Sequence, residues 1–222
     1  MSKQNSIRVW DIPTRVFHWS LVICVAISIY TGINGGFTEM DYHMLSGYTI
    51  LGLVSFRIIW GLIGSHHARF SDFVRPRELI RYSRDLLNRD STPSVGHNPL
   101  GGLSVLALLL VLAIQAGTGL FADDDIMLEG PLTHLVSDET GDLLTSIHHL
   151  NIWAIYGLVG LHIFAVLFYE IYKRQRLIVA MITGRKKLSA DGATARPVAE
   201  ILLGIITGLL VAGGVYWLVT AL

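Results

Sequence analysis

With 52% hydrophobic and only 15% charged residues, this chain of 222 carries too few charges for a soluble domain, where about a quarter is usual. The formal net charge of zero is uninformative as a total, because the charges are segregated along the chain, and no nucleic-acid partner is expected. A single cysteine, Cys24, excludes a disulfide framework and a Cys-based zinc or iron–sulfur site, and the absence of Cys-x-x-Cys-His excludes covalent haem attachment.

A bilayer core about 30 Å thick needs roughly 20 apolar residues in a helix. The first qualifying run is 16–33, preceded by Lys3, Arg8 and Arg15; no small-x-small cleavage site follows, so it reads as a retained span rather than a signal peptide. The second run is 43–64. After it, residues 76–87 predict a short amphipathic helix opened by Pro76, lying on the inner membrane surface against anionic lipid or a partner. The third and fourth spans are 100–121 and 143–172. Residues 184–197 are basic and Gly/Ala-rich and read as a mobile linker. The fifth span, 198–222, has no histidine and no charge after Glu200, so it is expected to be peripheral to any chemistry. No internal repeat is discerned. The expected fold is an all-α integral membrane bundle, with 1–175 as its main domain, 176–197 as a basic cytoplasmic linker and 198–222 as an added transmembrane helix.

Charge gives the spans a direction. Arg69, Arg75, Arg77, Arg81, Arg84 and Arg89 follow the second span, and Lys173, Arg174, Arg176, Arg185, Lys186, Lys187 and Arg196 follow the fourth. The two remaining connections hold no Lys or Arg but carry Glu39, Asp41, Asp123, Asp124, Asp125, Glu129, Asp138, Glu139 and Asp142. By the positive-inside rule the N-terminus is cytoplasmic, the acidic loops face outward and five spans place the C-terminus outside.

Ionisable residues inside membrane helices are costly and usually functional. His18, His43, His148 and His162 lie in or at the ends of the first, second and fourth spans. His148 and His162 are 14 residues apart, about four turns, so they share a face roughly 21 Å apart along the axis. His149 points about 100° away from His148 and falls off the face of His162, so, if this span supplies two ligands to one interior, His148 is the better choice of the two. Alternating span direction matches His18 with His162 at the inner level and His43 with His148 at the outer level. Two imidazoles on facing helices are how a bundle holds a b-type haem. His66, His67, His97 and His134 are expected to be solvated. Gly47, one turn below His43, and Gly32, Gly157 and Gly160 suit a flat macrocycle, although helix packing in membranes favours glycine too. Arg57, the one Lys or Arg buried within a span, needs an anionic partner; a haem propionate would serve, with snorkelling to the inner interface as the alternative. Arg15, one turn from His18, has the same two readings of propionate partner or topological charge.

These motifs resemble the prokaryotic cytochrome b561 family, including the cytochrome b subunits of membrane-bound nickel–iron hydrogenases. The matching residues are Val9-Trp10-Asp11 and Thr14-Arg15-Val16-Phe17-His18-Trp19, then His43 with Gly47-Tyr48, Arg57, Trp60-Gly61 and Ala68-Arg69-Phe70, and finally Ile147-His148 and Leu161-His162. The resemblance spans roughly residues 8–172; the fifth span lies outside it. It implies a four-helix core with two non-covalent b haems ligated by His18, His43, His148 and His162. It further implies electron exchange between the quinone pool and a partner, either a c-type cytochrome or a hydrogenase or other dehydrogenase. The acidic outer loops either dock a basic cytochrome or only satisfy topology. A stand-alone superoxide:quinone oxidoreductase and a haem-free proton-coupled transporter are the competing functions.

Overall fold

With no water inside a bilayer, a crossing chain closes its backbone hydrogen bonds within each segment, and an apolar run does so as a helix. The computed structural model describes residues 5–74, 76–88, 94–123, 128–188 and 197–221. In chain order its elements are β1 (Asn5–Arg8), α1 (Ile12–Asn34), α2 (Phe37–Ile63), α3 (Phe70–Phe73), α4 (Pro76–Arg84), α5 (Pro99–Gly119), α6 (Asp138–Leu167), α7 (Leu177–Thr183), β2 (Arg185–Leu188) and α8 (Pro197–Ala221). Short 3-10 turns lie at His66–Ala68 and Thr133–Leu135, and a π turn at Phe168–Tyr172 closes α6. Among the described residues, helices α1, α2, α5, α6 and α8 are the five long and apolar enough to cross a membrane. Many of their large apolar side chains, Leu150, Trp153, Leu209 and Leu210 among them, are exposed, which is the surface a helix offers to lipid tails. The protein is an all-α integral membrane helical bundle with one small two-stranded sheet. Of the sequence expectations, those on Lys3, Arg75, Arg89, Asp124, Asp125, Arg196 and the rest of 189–196 lie outside the described residues.

Three spans begin earlier than hydropathy alone places them, because polar first turns belong to the helices. Helix α1 starts at Ile12, where Thr14 N–H donates to Asp11 Oδ1 at 2.6 Å, an N-cap. Helix α2 starts at Phe37, directly after Gly35 and Gly36, whose positive φ of 64° and 100° reverses the chain in two residues. Helix α6 starts at Asp138, with Asp138 and Glu139 in a first turn whose dipole favours them.

Chain contacts group into two units, one of Met1–Val16, Ile58–Ala107 and Leu158–Ile206, the other of Phe17–Arg57, Leu108–Gly157 and Thr207–Leu222. In the first, β1 pairs antiparallel with β2 in the register Asn5↔Leu188 to Arg8↔Arg185. Residues 185–188 are therefore a strand, not part of a mobile linker. Gly184 sets this up. Its φ of 77° ends α7, and its carbonyl accepts Val9 N–H at 2.8 Å and Trp10 N–H at 3.2 Å. Ile7, Val9, Trp10 and Ala180 form a buried cluster beneath the sheet. Lys186 Nζ donates to the carbonyls of Ser94 and Val95 at 3.2 and 3.3 Å, and burial pushes its pKa down to about 8.

Asp11 ties the same unit together. Besides capping α1, its buried carboxylate accepts Trp60 Nε1–H at 3.1 Å and the hydroxyl of Ser65. Trp60 itself is fully buried. On α8, Glu200 pairs with Arg8 at 3.0 Å, and a Cβ at Gly204 would stand 2.6 Å from Pro13. Asp11→Ala strands a capping N–H, an indole N–H and a hydroxyl in a buried place, a loss of about 1–3 kcal/mol. The expected result is a lower melting temperature in detergent, with Asp11→Asn falling between the variant and wild type.

Candidate functional site

Within the second unit, His43 on α2 and His148 on α6 face each other, with ring centroids 6.2 Å apart and planes at 78°. Each ring is held the same way. His43 Nδ1 lies 2.9 Å from the Ser28 carbonyl of α1, and His148 Nδ1 lies 3.0 Å from the Gln115 carbonyl of α5. A carbonyl only accepts, so each Nδ1 carries a proton, and in a neutral imidazole that leaves the lone pair on Nε2. A carbonyl partner on one ring nitrogen, with the other left to bind, is the usual support of a metal-ligating imidazole.

The two carbonyls are presented by matching stretches of helix, Ile27-Ser28-Ile29-Tyr30-Thr31-Gly32 and Ile114-Gln115-Ala116-Gly117-Thr118-Gly119. Gly32 and Gly119 let each imidazole lie against bare backbone, since a Cβ at either would stand 2.9 Å from the histidine Cε1. Thr31 and Thr118 donate to the carbonyls one turn back, Ile27 at 2.8 Å and Ile114 at 2.7 Å, and their hydroxyls sit 3.4 and 3.3 Å from the ring Nδ1 atoms. Ser28 and Gln115 also bind the residue three places after each histidine. Ser28 Oγ meets Ser46 Oγ at 2.6 Å, and Asn151 Nδ2 donates to Gln115 Oε1 at 2.8 Å. The α1–α2 and α5–α6 pairs thus repeat one device, contrary to the expectation of no internal repeat. The sequence signal is the shared Ile-x-x-x-Thr-Gly. The sequence reading weighed Gly32 alone and passed over both threonines and Gly119.

The arrangement fits a metal-centred macrocycle. With metal–imidazole bonds of about 2 Å, two imidazoles on one metal hold their centroids about 6.3 Å apart, close to the 6.2 Å found. The rings border a cavity of about 330 Å³ lined chiefly by apolar residues such as Val25, Ile50, Leu112 and Ile155. Gly47 lines it too, with open space where its Cβ would be. His149 also touches this cavity, but it is exposed and its ring packs edge-on against His148 at 6.1 Å rather than facing His43.

The other sequence-selected residues are placed as follows. His18 lies in the second unit, half-buried and edge-on to Trp19 at 5.0 Å, whereas His162 lies half-buried in the first. Arg57 is 2% exposed in the second unit. Arg15 belongs to the first, where a Cβ at Gly184 would stand 2.7 Å from its Nη1. Two histidines expected to be solvated are not. His97 is half-buried between Trp10 and Phe73, at 4.6 and 4.4 Å between ring centroids, and His67 is half-buried beside Asp72. Loop position conceals both, because the rings that cover His97 come from other parts of the chain.

The model for prokaryotic cytochrome b561 matches residues 9–184. The chain is 26% identical to the probable Ni/Fe-hydrogenase B-type cytochrome subunit of Azotobacter vinelandii, over 85% of this chain and 92% of that protein. It is 23% identical to the probable Ni/Fe-hydrogenase B-type cytochrome subunit of Rhodobacter capsulatus, over 85% of this chain and 84% of that protein. It is 24% identical to the probable Ni/Fe-hydrogenase 1 B-type cytochrome subunit of Escherichia coli K12, over 79% and 88%. No solved structure matches it.

The glycine contacts make a direct prediction. Gly32→Ala and Gly119→Ala push a methyl into the imidazole edge, so each is expected to lower the haem bound per chain or to shift its midpoint potential. Gly208→Ala, with nothing within 4 Å of the new methyl, leaves both unchanged. Pyridine haemochrome and redox titration of the purified proteins read the difference.

Proposed function

The chain belongs to the prokaryotic cytochrome b561 family, and from that premise we propose that it is a di-haem membrane cytochrome passing electrons between a hydrogenase-type partner and the quinone pool. A b-type haem supplies a one-electron carrier. The chain's own part is to hold it, tune it and keep it dry. The single observation that carries the reading is the facing His43–His148 pair, with both Nδ1 protons committed to helix carbonyls.

On this reading His43 and His148 ligate the outer haem. Their Nδ1–H bonds fix each ring's tautomer and would make each Nε2 a more basic ligand. The apolar cavity walls and Gly47 give the macrocycle a water-poor slot. His18 and His162 ligate the inner haem, an assignment that rests on helical spacing and on the family motifs. Arg57 and Arg15 then neutralise propionates, because a guanidinium in a low-dielectric place requires an anion. Residues 1–175 make up the di-haem domain, 176–197 a cytoplasmic connection and 198–222 an added transmembrane helix. The segregation of basic and acidic connections supports an N-terminus in the cytoplasm, and the family supports a bacterial inner membrane with the C-terminus in the periplasm. The hydrogenase-type partner is favoured over a c-type cytochrome by the similarity to hydrogenase cytochrome subunits.

Two measurements test this. Wild type is expected to carry two b haems per chain, with His43→Ala and His148→Ala losing the same one, His18→Ala and His162→Ala the other, and His149→Ala neither. Retention of both haems in His148→Ala would overturn the outer assignment. Separately, a soluble quinone analogue added to the anaerobically reduced protein is expected to reoxidise both haems within one mixing experiment; haems that stay reduced count against the quinone as acceptor.

A further inference from the structure

The turn that leaves α2 gathers three metal-ligating side chains that the cytochrome chemistry does not use. His66 and His67 stand on the 3-10 turn His66–Ala68, and Asp72 stands on the one-turn helix α3. On a 3-10 turn successive side chains diverge by about 120°. Here the two Nδ1 atoms instead converge to 3.4 Å, with the rings edge-on at 84°. Asp72 reaches both, Oδ1 to His66 Nδ1 at 3.4 Å and Oδ2 to His67 Nδ1 at 3.0 Å.

Two imidazoles and a carboxylate, converging from one short segment, make the donor set of a metal site. A single divalent ion would draw on all three groups together. With bonds of about 2.1 Å, donors around a tetrahedral or octahedral ion stand about 3.0–3.4 Å apart; the two Nδ1 atoms stand 3.4 Å apart, and one ligand atom from each of the three residues lies within 4.8 Å of the others.

Two further features suit a bound ion. Gly96 lies over the donors, with a Cβ there meeting His67 Nδ1 at 3.4 Å and Asp72 Oδ2 at 3.6 Å, so the absent side chain leaves room for a further ligand such as water. His66 and His67 also border a cavity of about 360 Å³ that gives access from outside. Its cationic lining is Arg8, already paired with Glu200 at 3.0 Å, and the exposed Arg69.

We infer that His66, His67 and Asp72 form a binding site for a divalent first-row transition ion, separate from the His43–His148 pair. Two imidazoles and one carboxylate suit zinc-like ions rather than magnesium or calcium, which take oxygen ligands. Ser65, next to His66, donates to Asp11, so a bound ion clamps the segment that this carboxylate already fastens. An ion that binds only the folded protein raises its melting temperature.

The test uses the full-length haem-loaded protein in detergent, with any histidine tag removed and Zn²⁺ as the probe. Calorimetric titration is expected to show one Zn²⁺ per chain removed by His67→Ala or Asp72→Ala, with affinity weaker by about ten-fold or more, and kept by His134→Ala. The melting temperature rises with Zn²⁺ in wild type and His134→Ala alone. Haem absorbance shows that each variant is folded, and Asp72→Asn serves should Asp72→Ala prove unstable. Wild type that binds no Zn²⁺, or a folded His67→Ala that binds it as tightly as wild type, overturns the site.

Discussion

In a bilayer core a histidine ring finds few polar partners, so the destination of its Nδ1 proton decides where the ring points. Here that proton goes to a helix carbonyl, Ser28 for His43 and Gln115 for His148. The bond is possible only because Gly32 and Gly119 let the ring lie against bare backbone. Remove the closeness and the imidazole turns; turn the imidazole and its Nδ1 loses the carbonyl. The ring spacing, the cavity and the proposed ligation all descend from this one contact.

The contact occurs twice, with the same supporting cast. A threonine before each glycine satisfies its hydroxyl one turn back, and the residue that offers its carbonyl to the histidine also uses its side chain to bind the residue three places after it. Ser–Ser does this in one pair of helices and Asn–Gln in the other. A polar bond across two membrane helices is worth about 0.6–2 kcal/mol, so its value here lies less in stability than in register. It fixes the rotation of α2 against α1 and of α6 against α5, and so aims both histidines.

The first unit rests on different physics. Asp11 is a buried carboxylate that caps α1 and gathers Trp60 and Ser65, while β1 and β2 close a small sheet over Ile7, Val9 and Trp10. Val9-Trp10-Asp11, part of the family resemblance, thereby acquires a structural meaning. Val9 and Trp10 enter the cluster beneath the sheet, and Asp11 joins the start of α1 to the end of α2. The segment from Ser65 to Asp72, fastened at one end by this carboxylate, brings the His66–His67–Asp72 group together.

Much of this was open to reading in the sequence because solvation by lipid is a local property of each residue. Apolar runs of sufficient length give the five spans, and helical periodicity sets His148, but not His149, on the face of His162, since one residue rotates a side chain by about 100°. The polar first turns of α1, α2 and α6 escaped hydropathy because capping, not apolarity, forms them. Strand β2 escaped because four residues carry no period of their own and their partner lies at the far end of the chain. The Thr-Gly cradles escaped because the acceptor is a backbone carbonyl, identical at every position until a neighbouring helix selects one. What the sequence alone determined is thus which segments leave water and where charge collects. What only the tertiary structure decided is which carbonyl meets which imidazole, because that choice is made by the packing of helices and not by any residue within them.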